Sequence, residues 1–362
     1  MDFELSDSQR ELAGLARQIF TDQVTQPRLR EVETGQDHFD RDLWAALGEA
    51  GVLSAALPES AGGGGLGLAE QCSVLIETGR AVAPVPYLWS IAVGAAALGE
   101  FGATQLAERA GTGELVVTAA LTEDFVDLFE APVTRAEPAD GGWRLDGAKA
   151  LVPALPVADV VLVPASTADG VGVFVVETDA AGVTVERQVL VDGDSAGSLE
   201  LAGAVAHPLG GRNVLDWLVS RATVGLAAYQ VGVLERALEL TAEYARGREQ
   251  FGRPIGSFQA VAQRLADAYI DVEAVRLTTW EAAWRLGQGL PATAEIATAK
   301  FWAADAGHRV AHTAVHVHGG TGIDVDAPAH RYFTAAKRTE FTLGGATAQL
   351  RRLGAELAAT PA

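Results

Sequence analysis

The chain has 362 residues, of which 49% are hydrophobic and 20% are charged. This length and composition predict a globular protein with two or three domains and a large core. The formal net charge of −20 gives a surface that repels phosphate backbones, so nucleic-acid binding is not expected. The single cysteine, Cys72, excludes an internal disulfide and is expected to be a small buried apolar residue.

The sequence contains no segment that is typical of export or of membrane insertion. The first twenty residues, MDFELSDSQRELAGLARQIF, lack a basic region followed by an apolar one. The apolar stretch 81–99 is interrupted by Pro84 and Pro86 and is too short to span a bilayer, so we expect a loop followed by a buried helix. A cytoplasmic protein without a membrane span is therefore predicted.

The first third of the chain has helical patterns. Ser6 and Gln9 resemble a capping box, and apolar residues follow at helical spacing. Residues 39–53 predict a second amphipathic helix that ends at Gly51. The four glycines at 62–65 follow no clear strand and precede no GK[ST] motif, so they indicate a flexible turn rather than a phosphate loop.

The pattern changes near Glu114. Short β-branched segments, several of them with alternating polarity, follow one another up to about residue 210 and are separated by Asp, Gly and Pro. The segments DGDSAG and STADG are typical turn sequences. This region is predicted to be an antiparallel β domain.

From Gly211 to the end the pattern is helical again. One predicted helix begins near a possible N-cap at Ser257. Its apolar face is formed by Phe258, Val261, Ala262, Leu265, Tyr269 and Val272. The predicted fold is therefore mostly α with a central β domain.

Three motifs carry more specific information, namely YARGREQFGRPIGSFQ at 244–259, HVHGGTGID at 316–324 and ALTED at 120–124. Their order and spacing resemble the acyl-CoA dehydrogenase family over nearly the whole chain. The resemblance implies an N-terminal helical domain over 1–114, a middle β domain over 115–211 and a C-terminal helical bundle over 212–362.

The resemblance also implies a function. Members of this family are usually tetramers that bind FAD, with the ADP half of the flavin reaching into a neighbouring subunit. They desaturate an acyl-CoA thioester: a carboxylate removes the α proton, and the flavin takes the β hydrogen as hydride. An electron-transfer flavoprotein is the expected electron acceptor.

By this resemblance, Arg248, Gln250 and Phe251 contact the ADP half of FAD, with arginine pairing to pyrophosphate. The alternative is an ordinary loop at a helix end with a surface arginine. The further cofactor residues implied by the family motifs are Gly319, Gly320, Thr122 and His316, the last of which replaces the usual glutamine. His312 and His318 are expected to be structural, and no metal site is expected.

The departures from the family pattern concern the flavin and the base. The Gly-Ser-Asp part that should follow Thr122 is missing, and Lys149 is followed by ALVP instead of a segment with Trp-Ile-Thr. The family's Glu-Gly-Thr-x-Glu-Ile aligns with residues 344–349, so that Gly344 replaces the catalytic glutamate. The backbone N–H of Gly344 could still bind a thioester oxygen.

No other carboxylate has a clear claim to be the base. Some family members carry the base on the helix before the Arg-x-x-Phe-Gly motif, but the matching position near Arg221 has no acid. Glu340 is a weak candidate, and Asp216 and Glu235 lie on the preceding helix; each is more simply read as a solvated or paired surface charge.

Three functional hypotheses follow. In the first, the chain is a partner subunit of a heteromeric acyl-CoA dehydrogenase and completes the FAD site of another subunit. In the second, it is a self-sufficient homotetramer with a relocated base such as Glu340. In the third, it is a flavin monooxygenase of the same fold, which needs no base.

Overall fold

The computed structural model describes residues 5–128 and 130–359. They form two compact units. The first contains the described residues of Met1–Gln26, Cys72–Ala83 and Thr223–Ala362, and the second contains those of Pro27–Gln71 and Pro84–Ala222. We refer to them as the helical unit and the mixed unit.

The chain begins with helices. They are α1 (Asp7–Gln23), α2 (Gln26–Thr34), α3 (Arg41–Glu49), α4 (Leu68–Ala81), α5 (Ala96–Glu100) and α6 (Thr104–Gly111). The capping box predicted at Ser6 is confirmed, since its side chain accepts from the N–H of Gln9 while the Gln9 side chain accepts from the N–H of Ser6. Cys72 is fully buried, as predicted.

The apolar stretch before α5 is a buried helix, as predicted, but its form is unusual. Residues Tyr87–Ala95 form a π-helix in which every side chain is buried. None of the helices among residues 5–128 and 130–359 is long and apolar enough to cross a membrane. The proline-rich start and the short apolar length are consistent with this outcome.

The strands lie in the mixed unit, apart from a short hairpin described below. They are β1 (Val117–Ala119), β2 (Arg135–Ala139), β3 (Gly142–Pro153), β4 (Val160–Thr167), β5 (Gly170–Glu177), β6 (Val183–Val189) and β7 (Ser195–Gly211). Pairing runs β4–β2–β3–β7–β5 and returns from β5 to β4, so these strands close a ring; β1 adds to β4, and β6 adds to β7.

The predicted antiparallel arrangement holds for most of these pairs but is wrong for two. β4 pairs in parallel with β1 and, at a single residue pair, with β2. The sheet encloses a core of alternating inward residues that includes Leu145, Val163 and Phe174. Trp143 packs against this core with its ring 5.2 Å from that of Phe174.

Residues 212–359 are mainly helical. It comprises α7 (Arg212–Gly247), the hairpin β8 (Glu249–Gln250) and β9 (Arg253–Pro254), α8 (Gln259–Gly287), α9 (Thr293–His318), α10 (Ala329–Phe341) and α11 (Ala346–Ala359). Helix α9 buries residues on several sides and packs against α8, α10 and α11. It therefore forms the centre of the helical unit.

The expected N-cap of α8 was wrong. Phe258, not Ser257, precedes the helix, and the hydroxyl of Ser257 donates to the carbonyl oxygen of Pro254. The predicted apolar face is only partly buried, because Val272 is enclosed whereas the Tyr269 side chain is 60% exposed. Helical spacing identifies an apolar face, but it does not tell whether the same chain covers that face.

The predicted fold class is confirmed, with helices before and after a central β region. The three-domain division at 114/115 and 211/212 remains a prediction.

Candidate cofactor site and the Gly344 turn

The first candidate site lies where α7 and α9 end in the helical unit. The ring of Tyr244 stacks on the ring of His318 with centroids 4.5 Å apart. His318 is also held by its Nδ1, which donates to the carbonyl oxygen of Ala314 at 2.8 Å. Because Tyr244 is in the last turn of α7 and His318 in the last turn of α9, this stack brings two of the three sequence motifs together.

The hairpin after α7 presents three of the predicted cofactor residues to solvent. The backbone of Arg248 is fixed on both sides, since its N–H donates to Tyr244 O and its carbonyl accepts from Ile255 N, both at 2.8 Å. Its side chain is exposed and forms no ion pair with any residue in 5–128 or 130–359. Gln250 is also exposed and donates to the carbonyl oxygen of Glu249.

Phe251 occupies the tip of the hairpin. Its side chain is 94% exposed, and its φ is +53°, in the left-handed region that non-glycine residues seldom adopt. The ring lies edge-on to Phe258, and the guanidinium of Arg253 lies 4.2 Å from the centre of the Phe258 ring. The strained backbone position of this exposed ring supports the hypothesis that the hairpin binds a ligand.

The glycines after α9 leave their backbone open. Gly319 ends the helix at φ +64°, which explains why glycine is needed there. A Cβ added to Gly319 or to Gly320 would meet no atom within 4 Å. His316, in the last helical turn, is exposed. A ligand can therefore approach this backbone closely, as the predicted pyrophosphate contact requires.

Thr122 lies in the mixed unit, beside a buried ion pair. Its carbonyl oxygen accepts from Ala150 N at 3.0 Å. The next residue, Glu123, forms an ion pair of 2.6 Å with Lys149, whose Nζ also donates to Pro164 O at 2.7 Å. Sequence reasoning missed this pair, although a lysine inside an alternating strand is a signal that could have indicated it.

The electrostatics of the pair follow from burial and hydrogen bonding. Burial alone would raise the pKa of the Glu123 carboxyl, but hydrogen bonds from Lys149 and from the backbone of Val133 and Thr134 outweigh it, and the pKa lies below its usual range. The carboxylate therefore fastens the loop that follows it to β3. Within the segment after Lys149, the Leu151 side chain is 53% exposed at φ +51°.

The second candidate site is the turn between α10 and α11. Leu343 and Gly344 are both left-handed, with φ of +59° and +91°. Helix α11 begins at Ala346, so the turn does lie at a helix N-terminus. The N–H of Gly344, however, donates to the carbonyl oxygen of Phe341 at 3.2 Å. The Gly344 N–H, which the sequence left available for a thioester oxygen, is therefore used by the turn itself in this structure.

None of the carboxylates considered as a base stands free. Glu340 is bonded to Lys337 at 2.5 Å and to His308 at 3.2 Å. Asp216 pairs with Arg212 at 2.8 Å. Burial raises the pKa of Glu235, which pairs with Arg80 at 2.9 Å. The sequence favoured solvated or paired surface charges at these positions, and all three carboxylates are paired.

The alternative base position on α7 holds a cation instead. The guanidinium of Arg221 donates to Gln71 Oε1 at 2.5 Å and to the carbonyl oxygen of Ala92 in the π-helix at 3.2 Å. It also lies 4.5 Å over the ring of Trp217. An arginine in these contacts cannot remove a proton, since its pKa is far above neutral.

Comparison with known proteins agrees with the fold and the motifs. Family models described as the acyl-CoA dehydrogenase N-terminal and C-terminal domains match residues 6–111 and 210–358. The acyl-CoA dehydrogenase FadE27 of Mycobacterium tuberculosis is 49% identical over 377 aligned positions, covering 100% of both chains.

Solved structures extend the likeness. The structure of the ChsE4-ChsE5 complex from Mycobacterium tuberculosis contains a chain with a TM-score of 0.96 and 50% identity, with 100% of both chains covered. For the Tcur3481-Tcur3483 steroid ACAD G363A variant the TM-score is 0.93 and the identity 45%, over 97% of this chain and 99% of that one. PigA, solved with FAD and proline, has a TM-score of 0.89 at 25% identity over 99% of both chains. The chain therefore belongs to the acyl-CoA dehydrogenase family.

Proposed function

We propose that this chain is a partner subunit of a heteromeric acyl-CoA dehydrogenase, and that it completes the FAD site of a second subunit without supplying the catalytic base. One contrast carries the proposal. The end of the helical unit offers an exposed Arg248 beside open glycine backbone, whereas the position of the family's base is a glycine in a left-handed turn.

The ADP half of FAD fits the first of these sites. Arg248 would donate to the pyrophosphate, Gly319 and Gly320 would admit it to the backbone, and Phe251 would pack near the adenine. Gln250 and His316 add hydrogen bonds at the rim of the same site. These residues point away from the core of their own unit, which suits a cofactor held by another subunit.

The flavin-ring side of this chain is a poor fit. The segment after Lys149 presents Leu151, which has neither an aromatic ring nor a hydroxyl, and Thr122 remains as the only predicted contact there. When bound, FAD accepts the β hydrogen of the acyl-CoA as hydride. The α proton must be taken by a carboxylate of the second subunit, because Glu340, the weak candidate of this chain, is committed to Lys337 and His308.

Two of the relatives support a substrate class. One similar structure is a two-component complex and another is described as a steroid ACAD, which supports a heterotetramer acting on a steroid-derived acyl-CoA thioester. An electron-transfer flavoprotein is the acceptor that we expect from the family.

The visible spectrum of the purified chain tests the proposal. Expressed alone, the chain should be nearly colourless; co-expressed with an acyl-CoA dehydrogenase encoded beside it, it should purify as a yellow complex that acyl-CoA bleaches without oxygen. Stoichiometric FAD in the isolated chain, bleached by acyl-CoA, would show that it is self-sufficient and would exclude the partner-subunit function.

A further inference from the structure

The Gly344 turn is held by a side chain from the helix that follows it. Gln349, in the first half of α11, is 1% exposed. Its Nε2 donates to the carbonyl oxygen of Leu343 at 2.9 Å and to that of Gly344 at 3.3 Å. These are the carbonyls of the two left-handed residues, so one buried amide group bonds both of them.

The same amide restricts what position 344 can carry. A Cβ built on Gly344 would lie 3.1 Å from Gln349 Nε2 and 3.1 Å from the Cβ of Ala348, which is tighter than ordinary contact. The φ of +91° adds a penalty for any residue other than glycine. A glutamate at 344 would therefore meet both crowding and backbone strain.

We propose that Gln349 is a positioning residue that locks the turn in a conformation that strongly favours glycine at position 344, and thereby disfavours a catalytic carboxylate there. The family pattern has isoleucine where this chain has Gln349, and isoleucine has no donor for the two carbonyls. The absence of a base at position 344 and the presence of Gln349 are thus both explained by the same conformation of the turn.

The lock also accounts for the direction in which the Gly344 N–H points. With the carbonyls of Leu343 and Gly344 turned toward Gln349, the Gly344 N–H is directed to Phe341 O. The turn then offers neither a base nor this N–H as an oxyanion donor. The consequence that the base comes from another subunit rests on the proposed function, but the lock itself does not, and its test needs neither flavin nor acyl-CoA.

A double-mutant cycle on thermal stability tests the lock. Gly344→Glu alone should lower Tm by on the order of 5 °C, from strain and overpacking. Gln349→Ala alone should lower Tm as well, because two carbonyls lose their donor. In the Gln349→Ala background, Gly344→Glu should lower Tm by less than half as much as it does in the parent protein, since the freed turn can move out of the left-handed region.

Three further variants sharpen the result. Gly345→Glu is the matched control, because its Cβ would lie 3.6 Å from the nearest atom, and its Tm should stay within about 2 °C of the parent. Gln349→Met keeps the length of the side chain without its hydrogen-bond donor. It should reduce the loss of Tm caused by Gly344→Glu, as Gln349→Ala does. Gly344→Ala replaces the glutamate variant in the cycle if that protein does not fold.

Strictly additive losses in the cycle would overturn the proposal, because the two residues would then be independent. An equal loss in Gly345→Glu would do the same, since the cost would not be specific to position 344. If Gln349→Met left the full cost of Gly344→Glu in place, hydrogen bonding would not be what holds the turn. Each of these outcomes is distinct from failure of the proposed function, which is decided by flavin content.

Discussion

The Tyr244 and His318 rings stack with their centroids 4.5 Å apart and their planes 26° apart. This contact joins the last turn of α7 to the last turn of α9, so the Arg248 hairpin and the Gly319 backbone share one end of the helical unit. Two motifs about 70 residues apart in the sequence thus become parts of one surface.

Replacing Arg248 by alanine should lower the FAD content of the purified complex. A charge-assisted hydrogen bond to phosphate is worth roughly 1.5–3 kcal/mol, which corresponds to flavin binding weakened about ten- to a hundredfold. Absorbance at 450 nm relative to 280 nm measures the occupancy. Arg246→Ala, an exposed arginine in the last turn of α7, is the control and should retain its flavin. Equal occupancy in both variants would mean that Arg248 does not bind the cofactor.

The ring of Tyr244, rather than its hydroxyl, should be what supports flavin binding. Tyr244→Phe keeps the ring against His318 and should keep the flavin, whereas Tyr244→Ala should lose a part of it because the hairpin is no longer held against α9. The measurement is the flavin content of the two complexes, and the thermal stability of each variant shows whether they can be compared. A phenylalanine variant as poor as the alanine variant would assign the role to the hydroxyl instead.

The Lys149–Glu123 pair should be essential to the stability of the mixed unit. Removing one partner of a buried pair leaves an uncompensated charge, so Lys149→Met should cost about 3–5 kcal/mol in the free energy of unfolding. Urea denaturation measures the loss. The double variant Lys149→Met/Glu123→Leu should recover part of it, because no charge is then left buried. A single variant as stable as the parent would show that water reaches the pair.

The Lys149–Glu123 pair should also make the stability of the folded protein depend on pH in the acid range. The pKa of Glu123 is lower in the folded state than its ordinary value of 4.5. Its contribution to stability is therefore complete above about pH 4.5 and is lost as pH falls through the folded-state pKa. Relative to the Lys149→Met/Glu123→Leu variant, the parent should lose stability between pH 4.5 and more acidic conditions, as followed by urea denaturation. Parallel pH profiles of the two proteins would contradict the assignment.

Lys300 should make the free energy of unfolding depend on pH above neutrality, whereas Glu123 does so in acid. It is fully buried in α9, and its Nζ donates to the carbonyl oxygens of Thr339 and Glu340 at 3.0 and 3.1 Å. Burial lowers the pKa of Lys300 to about 7, from an ordinary value of 10.5. Between these values the unfolded chain binds the extra proton, so the free energy of unfolding should rise with pH by up to roughly 1.4 kcal/mol per unit.

Lys300→Met provides the reference for that measurement. It removes the titrating group and keeps a side chain of similar length. The difference in unfolding free energy between the parent and Lys300→Met should move in favour of the parent between pH 7 and pH 9, and should be constant below pH 6. A constant difference across the whole range would show that the lysine does not change its protonation there.

Glu340→Gln should leave catalysis by the complex unchanged within about twofold, because this carboxylate is tied to Lys337 and His308. Anaerobic bleaching by acyl-CoA gives the rate. Complete loss of bleaching in this variant, with flavin still bound, would revive Glu340 as the base and favour the homotetramer.

Much of the fold was visible in the sequence because the patterns are local. The capping box at Ser6, the buried position of Cys72 and the change from helical to alternating periodicity near Glu114 depend on neighbouring residues, and they were read correctly. The parallel pairing of β1 with β4 was not, since strand partners depend on distant parts of the chain. Helical spacing also gave no prediction for the exposure of Tyr269, because the covering of a helix face depends on distant parts of the chain too.

The candidate sites divide in the same way. The sequence alone determined which chemical groups are present: the Arg248 and Gly319 motifs of the family, and a glycine where the family keeps its base. Only the tertiary structure decided that the Gly344 N–H is used by Phe341, and that Gln349 holds the carbonyls of the turn. The physical reason is that a residue's identity specifies its donors and acceptors, whereas folding specifies which of them meet and at what φ the backbone must lie.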